Sequence, residues 1–337
     1  MISIVIVGYN SRGDLKDCLG SVYRSSYKQF RVIFVDNDSS DGSVEFVKGR
    51  YPKVEVIANQ NTGCAGGNNV GIRYALKLRT DYIFLLNPDA TVEKDCLKNL
   101  MSKADRQTIL QPLILLNIKG KNTRLINTTG DYLNFLGFCY CGNYRKDQSA
   151  AKEKDIVIAS AAAVLIPAGI LKKIGLWDEK FFMYHEAVDL FYRARLFGFN
   201  IKLIPSALAY HKYSFSKNKS KMFYADRNRI LFLYRNFSAK YLILTLPMAI
   251  INEILLIVYS LLSGWFVEKI KVYFSASSLL KSSSVQRRKN LPYIKKQEKK
   301  MKRFIGAQIS FSEIKSPLFV PYNLLLRAYW ALIKPLI

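Results

Sequence analysis

The chain has 337 residues, enough for one large domain or two ordinary ones, and half are hydrophobic, so a sizeable core can form. The net charge is +26 and unevenly placed: from His211 onward there are 23 Lys and Arg against 5 Asp and Glu, which calls for an anionic partner, nucleic acid or a membrane face. The opening MISIVIVGYN lacks a basic n-region and a cleavage site, so no secretory signal is expected, and the 5 cysteines match no zinc spacing and read as reduced cytosolic thiols.

The first ninety residues alternate regularly. Apolar, β-branched runs fall at 2–9, 30–37, 54–59 and 82–90, with helical patterns between them at about 13–26, 42–50, 66–79 and 93–104. This alternation predicts a mostly parallel sheet covered on both faces. In such sheets ligands bind beyond the carboxyl ends of the strands. Those ends read GYN, VDNDSSDGS, ANQNTGCAGGNN and LLNPDA, all polar turns rich in Asn and Asp. Residues 107–160 lose the alternation and read as hairpins or a long excursion over the sheet. Another buried strand is expected at 156–167. A loop then leads into a helix closed by Gly198, followed by a last strand, NIKLIPSALAYH.

From about 220 the character changes. Residues 241–264 are long and apolar enough to cross a bilayer, but Asn252 and Glu253 sit in the middle, which is costly in hydrocarbon. A basic stretch follows at 281–303, and a second apolar segment at 318–337 ends the chain.

Three of the strand ends carry chemistry. Asp36 and Asn37 can hydrogen-bond a base or a ribose, though Asp, Asn, Ser and Gly are also what turns use. In NQNTGCAGGNNVG, Gly63, Gly66 and Gly67 would allow close backbone approach to a ligand at a helix start, with Asn68 as an alternative helix cap. The segment matches neither the dinucleotide fingerprint nor the P-loop. In LLNPDA, Asn87 and Asp89 alternate along an extended segment and would face one ion or phosphate together. A hard divalent cation takes one or two such carboxylates and fills its other sites with phosphate and water. The alternative is a strand-to-helix turn with an Asp cap.

Together with WDEKFFMYHEAVDLFYRARLFG, these motifs resemble the family-2 glycosyltransferases of GT-A fold, closest to the rhamnosyltransferase-like branch that builds cell-surface polysaccharides. The resemblance covers about residues 1–235, taken as the transferase domain, with 236–337 as a basic, apolar, membrane-associated helical tail. It implies an inverting transfer of a sugar from a nucleotide-diphosphate donor, dTDP-rhamnose or a UDP-sugar, to a hydroxyl of a lipid-linked or cell-surface glycan. By resemblance, Tyr9, Asn10, Asp36, Asn37, Asn61, Gly66, Gly67, Asn68 and Asn87 line the nucleotide side. Asp89 and His211 would hold Mg²⁺ or Mn²⁺. Trp177, Asp178, His185 and Asp189 line the acceptor side.

The sequence departs from the family at one place. The general base is expected from an Asp in E-D-x-D-L, and here the segment reads Glu186-Ala187-Val188-Asp189-Leu190. Loss of such a base costs ~10² to 10⁴ in rate. Three readings follow: a position changed by design, an enzyme in which Glu186 or His185 takes the proton, or a catalytically silent donor- or glycan-binding subunit. Asp189 also has a plain structural reading, a first-turn acid pairing with Arg193.

In the tail, ADRNRILFLYRNF interleaves Arg with aromatics, as a nucleic-acid surface or an amphipathic membrane helix would. The adjoining apolar segment and the resemblance favour the cytoplasmic membrane face over nucleic acid. One true span would put the basic run and the transferase domain on opposite sides, so in-plane helices or a hairpin are expected over a span at 241–264. No residue pattern specifies an oligomeric state.

Overall fold

The computed structural model describes residues 1–213, 218–310 and 319–337. The strands of the first half are β1 (Ile2–Gly8), β2 (Phe30–Asn37), β3 (Glu55–Asn59), β4 (Tyr82–Leu86), β5 (Ala90–Val92), β6 (Thr108–Ile118) and β7 (Lys121–Thr128). Then come β8 (Asp131–Asn134), β9 (Cys139–Cys141), β10 (Lys154–Asp155), β11 (Ala163–Pro167), β12 (Asn200–His211) and β13 (Ile305–Gly306). The helices are α1 (Arg12–Tyr23), α2 (Ser43–Arg50), α3 (Gly63–Lys77), α4 (Cys96–Met101) and α5 (Ala168–Ile174). They continue with α6 (Glu186–Leu196), α7 (Lys219–Asn236), α8 (Ala239–Leu262), α9 (Phe266–Met301) and α10 (Phe319–Ile333).

The chain forms two compact units. The first holds Met1–Asp131, Cys141–Phe182 and Phe199–Ser214; the second holds Tyr132–Tyr140, Met183–Gly198 and Phe215–Ile337. A boundary at 235 follows composition. The units instead interleave along the chain, because α6 packs with α7 and α9.

In the first unit the main sheet runs β10-β12-β6-β11-β4-β1-β2-β3, with β5 on β12 and β7 on β6. The β3-β2-β1-β4 half is parallel, as the alternation predicts. The other half is mixed, because β11 runs antiparallel between β4 and β6. The apolar runs of β1, β2 and β4 are buried from both sides, and α3 lies on β1 and β2. A buried side chain of Val or Ile size contributes about 1.5–3 kcal/mol, which makes this the mechanical centre of the unit. The strand expected over 156–167 shortens to β11. None of the five cysteines is in a disulfide. A register shift between Ile204 and Leu208, around Pro205, bends β12 before its last residues.

In the second unit β8 pairs with β13, and α6, α7 and α9 pack together. Phe197 stacks on Tyr293 with ring centres 3.8 Å apart, and the Arg195 guanidinium lies 4.9 Å above Phe304. Here the structure corrects one expectation. Arg227, Arg229 and Arg235 of the aromatic-interleaved stretch are buried, so they form neither a nucleic-acid surface nor a headgroup contact. Helix α8 carries Pro247 within an unbroken helix.

Candidate active site

The carboxyl ends of β1 and β2 meet in one polar corner. Gly8 stands opposite Asp36 in the parallel register. Tyr9 is exposed, and Asn10 takes a left-handed conformation at φ 49°, which Asn tolerates. Its side-chain oxygen accepts from the Ser40 amide at 2.9 Å, and its own amide donates to Ser39 Oγ at 2.9 Å. Asn10 thus ties the two loops together. Asp36 is buried; Oδ2 accepts from the Ser39 amide at 3.1 Å, while Oδ1 is buried without a hydrogen-bond partner. A buried oxygen left this way costs about 1–3 kcal/mol, more when charged, and is suited to a ligand N–H or O–H.

Several residues expected to face the nucleotide turn out to hold the fold. Asn37 is buried, donates to Gly63 O at 2.9 Å and accepts from Asn59 Nδ2 at 2.8 Å. Helix α3 begins at Gly63, so Gly66, Gly67 and Asn68 lie inside it rather than in a ligand loop. A Cβ on Gly67 would sit 2.5 Å from Val7 Cγ1, and one on Gly66 would sit 2.3 Å from Thr62 Oγ1. Close packing therefore requires those glycines. Asn68 is no cap; its Nδ2 donates to Cys64 O at 2.9 Å. Asn61 is exposed and accepts from the Gly63 amide at 3.1 Å. Next to Asn68 in sequence, Asn69 clasps the Trp177 backbone, donating to its carbonyl at 2.9 Å and accepting from its amide at 3.0 Å. Trp177 is buried, and Asp178 caps a short helical turn through the Lys180 amide at 3.0 Å.

The segment 87–90 is a tight turn, not an extended run, since the Ala90 amide donates to Asn87 O at 3.1 Å. Asn87 and Asp89 therefore do not alternate along a strand. The turn is fixed on both sides: the Asn87 amide donates to Ala162 O and the Lys212 amide to Asp89 O, each at 3.0 Å. Because β5 pairs with β12 with Ala90 opposite His211, the imidazole comes to Asp89. His211 Nε2 is 3.2 Å from Asp89 Oδ1, and Nδ1 is 3.0 Å from Asn127 Oδ1. The Asn127 carbonyl oxygen accepts, so Nδ1 is the donor there and Nε2 is the ring nitrogen turned to the carboxylate.

Asp89 Oδ1 is buried and has no hydrogen-bond partner. A divalent cation there would bind the carboxylate and Nε2; the donor set of one carboxylate and one imidazole fits. Among the described residues no group of three or more His, Cys, Asp or Glu gathers at one point. A cation completed by phosphate and water needs no such group. Asn127 was missed at the sequence level, because nothing in a hairpin strand marks one Asn as a histidine's partner.

In the second unit the HEAVDL segment opens α6. Tyr184 and His185 are left-handed, at φ 62° and 61°. Such residues cost about 1–3 kcal/mol each and persist where their surroundings hold them. His185 Nε2 lies 3.0 Å from Gly137 O and donates to it. Burial pulls the His185 pKa down from 6.5 to about 4, so the ring is neutral at neutral pH. Glu186 is buried and Ala187 half-buried in the first turn.

Asp189 is fully buried, with Oδ2 2.9 Å from Arg193 Nε and Oδ1 accepting from Asn236 Nδ2 at 2.9 Å. Burial raises its pKa, but Arg235, Arg193 and the hydrogen bonds outweigh that and leave it lowered. Asp189 is scaffold and does not line an acceptor site. Removing one partner of such a buried pair costs about 3–5 kcal/mol.

A family model described as Glycosyl transferase family 2 matches residues 3–175. A hexosyltransferase of low-salt glycan biosynthesis from Haloferax volcanii is 29% identical over 239 residues, covering 68% of this chain and 74% of that protein. An N-acetylglucosaminyl-diphospho-decaprenol L-rhamnosyltransferase from Mycobacterium tuberculosis is 25% identical over 234 residues, covering 63% of this chain and 76% of that protein. Among solved structures, GalNAc-T7 with UDP, GalNAc and Mn²⁺ superposes with a TM-score of 0.59 at 16% identity. That match covers 72% of this chain, which spans about half (48%) of that protein. The chain belongs to glycosyl transferase family 2, and it is a glycosyltransferase of GT-A fold.

Proposed function

We propose that this glycosyltransferase moves a sugar, with inversion, from a nucleoside-diphosphate donor to a hydroxyl of a lipid-linked glycan at the cytoplasmic face of a membrane. The donor is dTDP-rhamnose or a UDP-sugar. The observation that carries the reading is the Asp89–His211 pair, a carboxylate and an imidazole 3.2 Å apart at the strand ends, a donor set that suits a cation on a diphosphate. The Mycobacterium tuberculosis relative is named for a decaprenol-linked substrate, and the GalNAc-T7 structure holds UDP and Mn²⁺.

In this reading Asp36 Oδ1 accepts a hydrogen bond from the nucleotide. Asp89 and His211 would hold Mg²⁺ or Mn²⁺, with Asn127 fixing the imidazole. When bound, the ion neutralises charge that grows on the diphosphate. The acceptor hydroxyl must lose a proton, and Ala187 cannot take it. Glu186, the carboxylate beside it, serves as base for an acceptor shifted toward it. His185 serves less well, because a pKa of about 4 gives little driving force for accepting a proton. A second reading, a donor-binding subunit without turnover, rests on Ala187 itself.

Membrane attachment is read from α8. Ile243, Leu246, Ile250, Ile254, Val258 and Leu261 are exposed and recur every three or four residues, forming one apolar stripe. Other sides are tied into the protein: opposite the stripe Asn252 Oδ1 accepts from Tyr322 at 3.0 Å, and on its flank Glu253 Oε2 accepts from Lys269 at 2.7 Å. A helix with one lipid-facing side and one protein-facing side lies in the interface plane. The basic residues of α9 add attraction to an anionic leaflet, ~1 kcal/mol for each one near the surface.

The test offers the full chain in anionic nanodiscs a panel of nucleotide sugars with Mn²⁺ and a prenyl-diphosphate-linked acceptor. The enzyme reading expects nucleoside diphosphate release that Glu186→Gln abolishes. Donor binding without release in both chains would replace it with the binding-subunit reading.

A further inference from the structure

We propose that Asn228, Arg229 and the charges that fix Arg229 form a positioning clamp for the turn that opens α6. The proposal rests on the function proposed above for its consequence and on geometry for its existence. Asn228 Nδ2 donates to two consecutive carbonyls of the turn, Met183 O at 2.9 Å and Tyr184 O at 2.7 Å. Arg229 Nη1 donates to Leu136 O at 3.1 Å. The next carbonyl, Gly137 O, receives His185 Nε2 at 3.0 Å. Gly137 is left-handed at φ +84°, and a Cβ there would meet Leu233 Cγ at 2.9 Å, so its turn sits directly on α7. Two adjacent α7 residues thus hold the left-handed pair Tyr184 and His185, one directly and one through the 136–137 turn.

Arg229 is itself fixed by charges from three helices. It pairs with Asp226 Oδ1 at 2.7 Å on α7 and with Glu253 Oε1 on α8. Lys269 of α9 bridges the same two carboxylates, at 2.5 Å from Asp226 Oδ2 and 2.7 Å from Glu253 Oε2. Tyr273 completes Glu253 Oε2 at 2.7 Å. Two cations balance two carboxylates. A well-packed apolar cluster would be as stable as buried pairs of this kind. What the charges add is a fixed direction for Arg229, hence for Leu136 and Gly137, hence for His185 and the start of α6. The same cluster contains Glu253, on the helix that presents the apolar stripe.

The test compares wild type, Glu253→Gln and Asn228→Ala, each as the full chain in anionic nanodiscs. The chain has 2 His, so imidazole nitrogen spectra separate His185 from His211. The clamp predicts that both variants move the His185 resonances and leave those of His211 unchanged. It predicts unchanged donor affinity and unchanged donor KM, with kcat of transfer down by about 10- to 100-fold, as for a misplaced catalytic group. A cluster with only a structural role would lower the melting temperature without that split. Folded variants with a wild-type His185 spectrum would overturn the clamp, and so would a kcat loss matched by equal loss of donor affinity. If Glu253→Gln does not fold, Asn228→Ala decides alone. A wild type that binds no donor would refute the proposed function, while the His185 spectra would still decide the clamp.

Discussion

Replacing Ala187 with Asp returns a carboxylate to the one place in HEAVDL where the family's base is expected. The position can take it, being half-buried in the first turn of α6. A negative charge at a helix N-terminus is favoured by about 0.3–1 kcal/mol. On the same helix, Asp189 is already matched by Arg193 at 2.9 Å, so it adds little repulsion. Glu186 is the neighbour that opposes the change, and its position is rotated from 187 by about 100°. Folding should therefore change by less than about 1 kcal/mol. The gain is a base for the unshifted acceptor, which Glu186 does not reach, worth at most ~10² to 10⁴ in rate, or about 3–5 kcal/mol of barrier. The assay pairs calorimetric donor binding with release of nucleoside diphosphate in the presence of acceptor. Unchanged binding with release raised about a hundredfold or more supports the account. If release does not rise while binding stays intact, residue 187 is not the base position and the argument from HEAVDL is wrong.

Three further outcomes follow from other parts of the molecule. Asn127→Leu frees His211 Nδ1 from its acceptor, and loss of such a partner weakens metal affinity by about 10- to 100-fold; Mn²⁺ titration of the nucleoside-diphosphate complex reads this, and unchanged affinity would contradict the orientation given to His211. The His185 pKa falls on folding from 6.5 to about 4, so between those values the unfolded chain binds more protons and stability rises with pH. The contribution is whole above pH 6.5, is lost as pH falls toward 4, and amounts to at most about 3 kcal/mol, less where solvent reaches the ring; denaturant melts of wild type and His185→Asn should diverge across that window, and parallel curves would rule it out. Ile250→Glu with Ile254→Glu puts charge on the exposed face of α8 and should move the chain from anionic vesicles to the supernatant; unchanged co-sedimentation would contradict an in-plane α8. Cutting the chain near 235 is a poorer test, because α9 packs on α6 and α7.

Local patterns carried much of the fold. The β-branched run at 30–37 became β2 and NIKLIPSALAYH became β12, because each is a mostly apolar run bounded by turns, β12 keeping its pairing across the irregularity at Pro205. Gly198 sits left-handed just past α6, as expected of a residue that closes a helix. The errors have a common physical source: they lie where long-range packing decides what a residue type is for. Gly66 and Gly67 read as ligand-approach glycines, and only β1 and the Thr62 side chain reveal them as packing glycines. Arg229 and Arg235 read as surface cations, and their carboxylate partners Glu253 and Asp189 are distant in sequence. Asn87 and Asp89 read as alternating, and the Asn87–Ala90 turn is set by Ala162 and Lys212. In the candidate site the residues at strand ends were legible one by one. The resemblance put Asp89 and His211 together, and β5 on β12 brings them within 3.2 Å; Asn127 was not legible, since its place depends on β7 pairing with β6.

The central claim is that the first unit holds a metal-bound nucleoside diphosphate through Asp36, Asp89 and His211. Calorimetry of the full chain with UDP and dTDP, each with and without Mn²⁺, tests it most directly. The account predicts saturable binding of at least one of them that strengthens with Mn²⁺. It predicts that Asp89→Asn removes the Mn²⁺ dependence and that Asp36→Ala weakens binding with or without the metal. Absence of binding by both nucleotides, or Mn²⁺ dependence that survives Asp89→Asn, would contradict it.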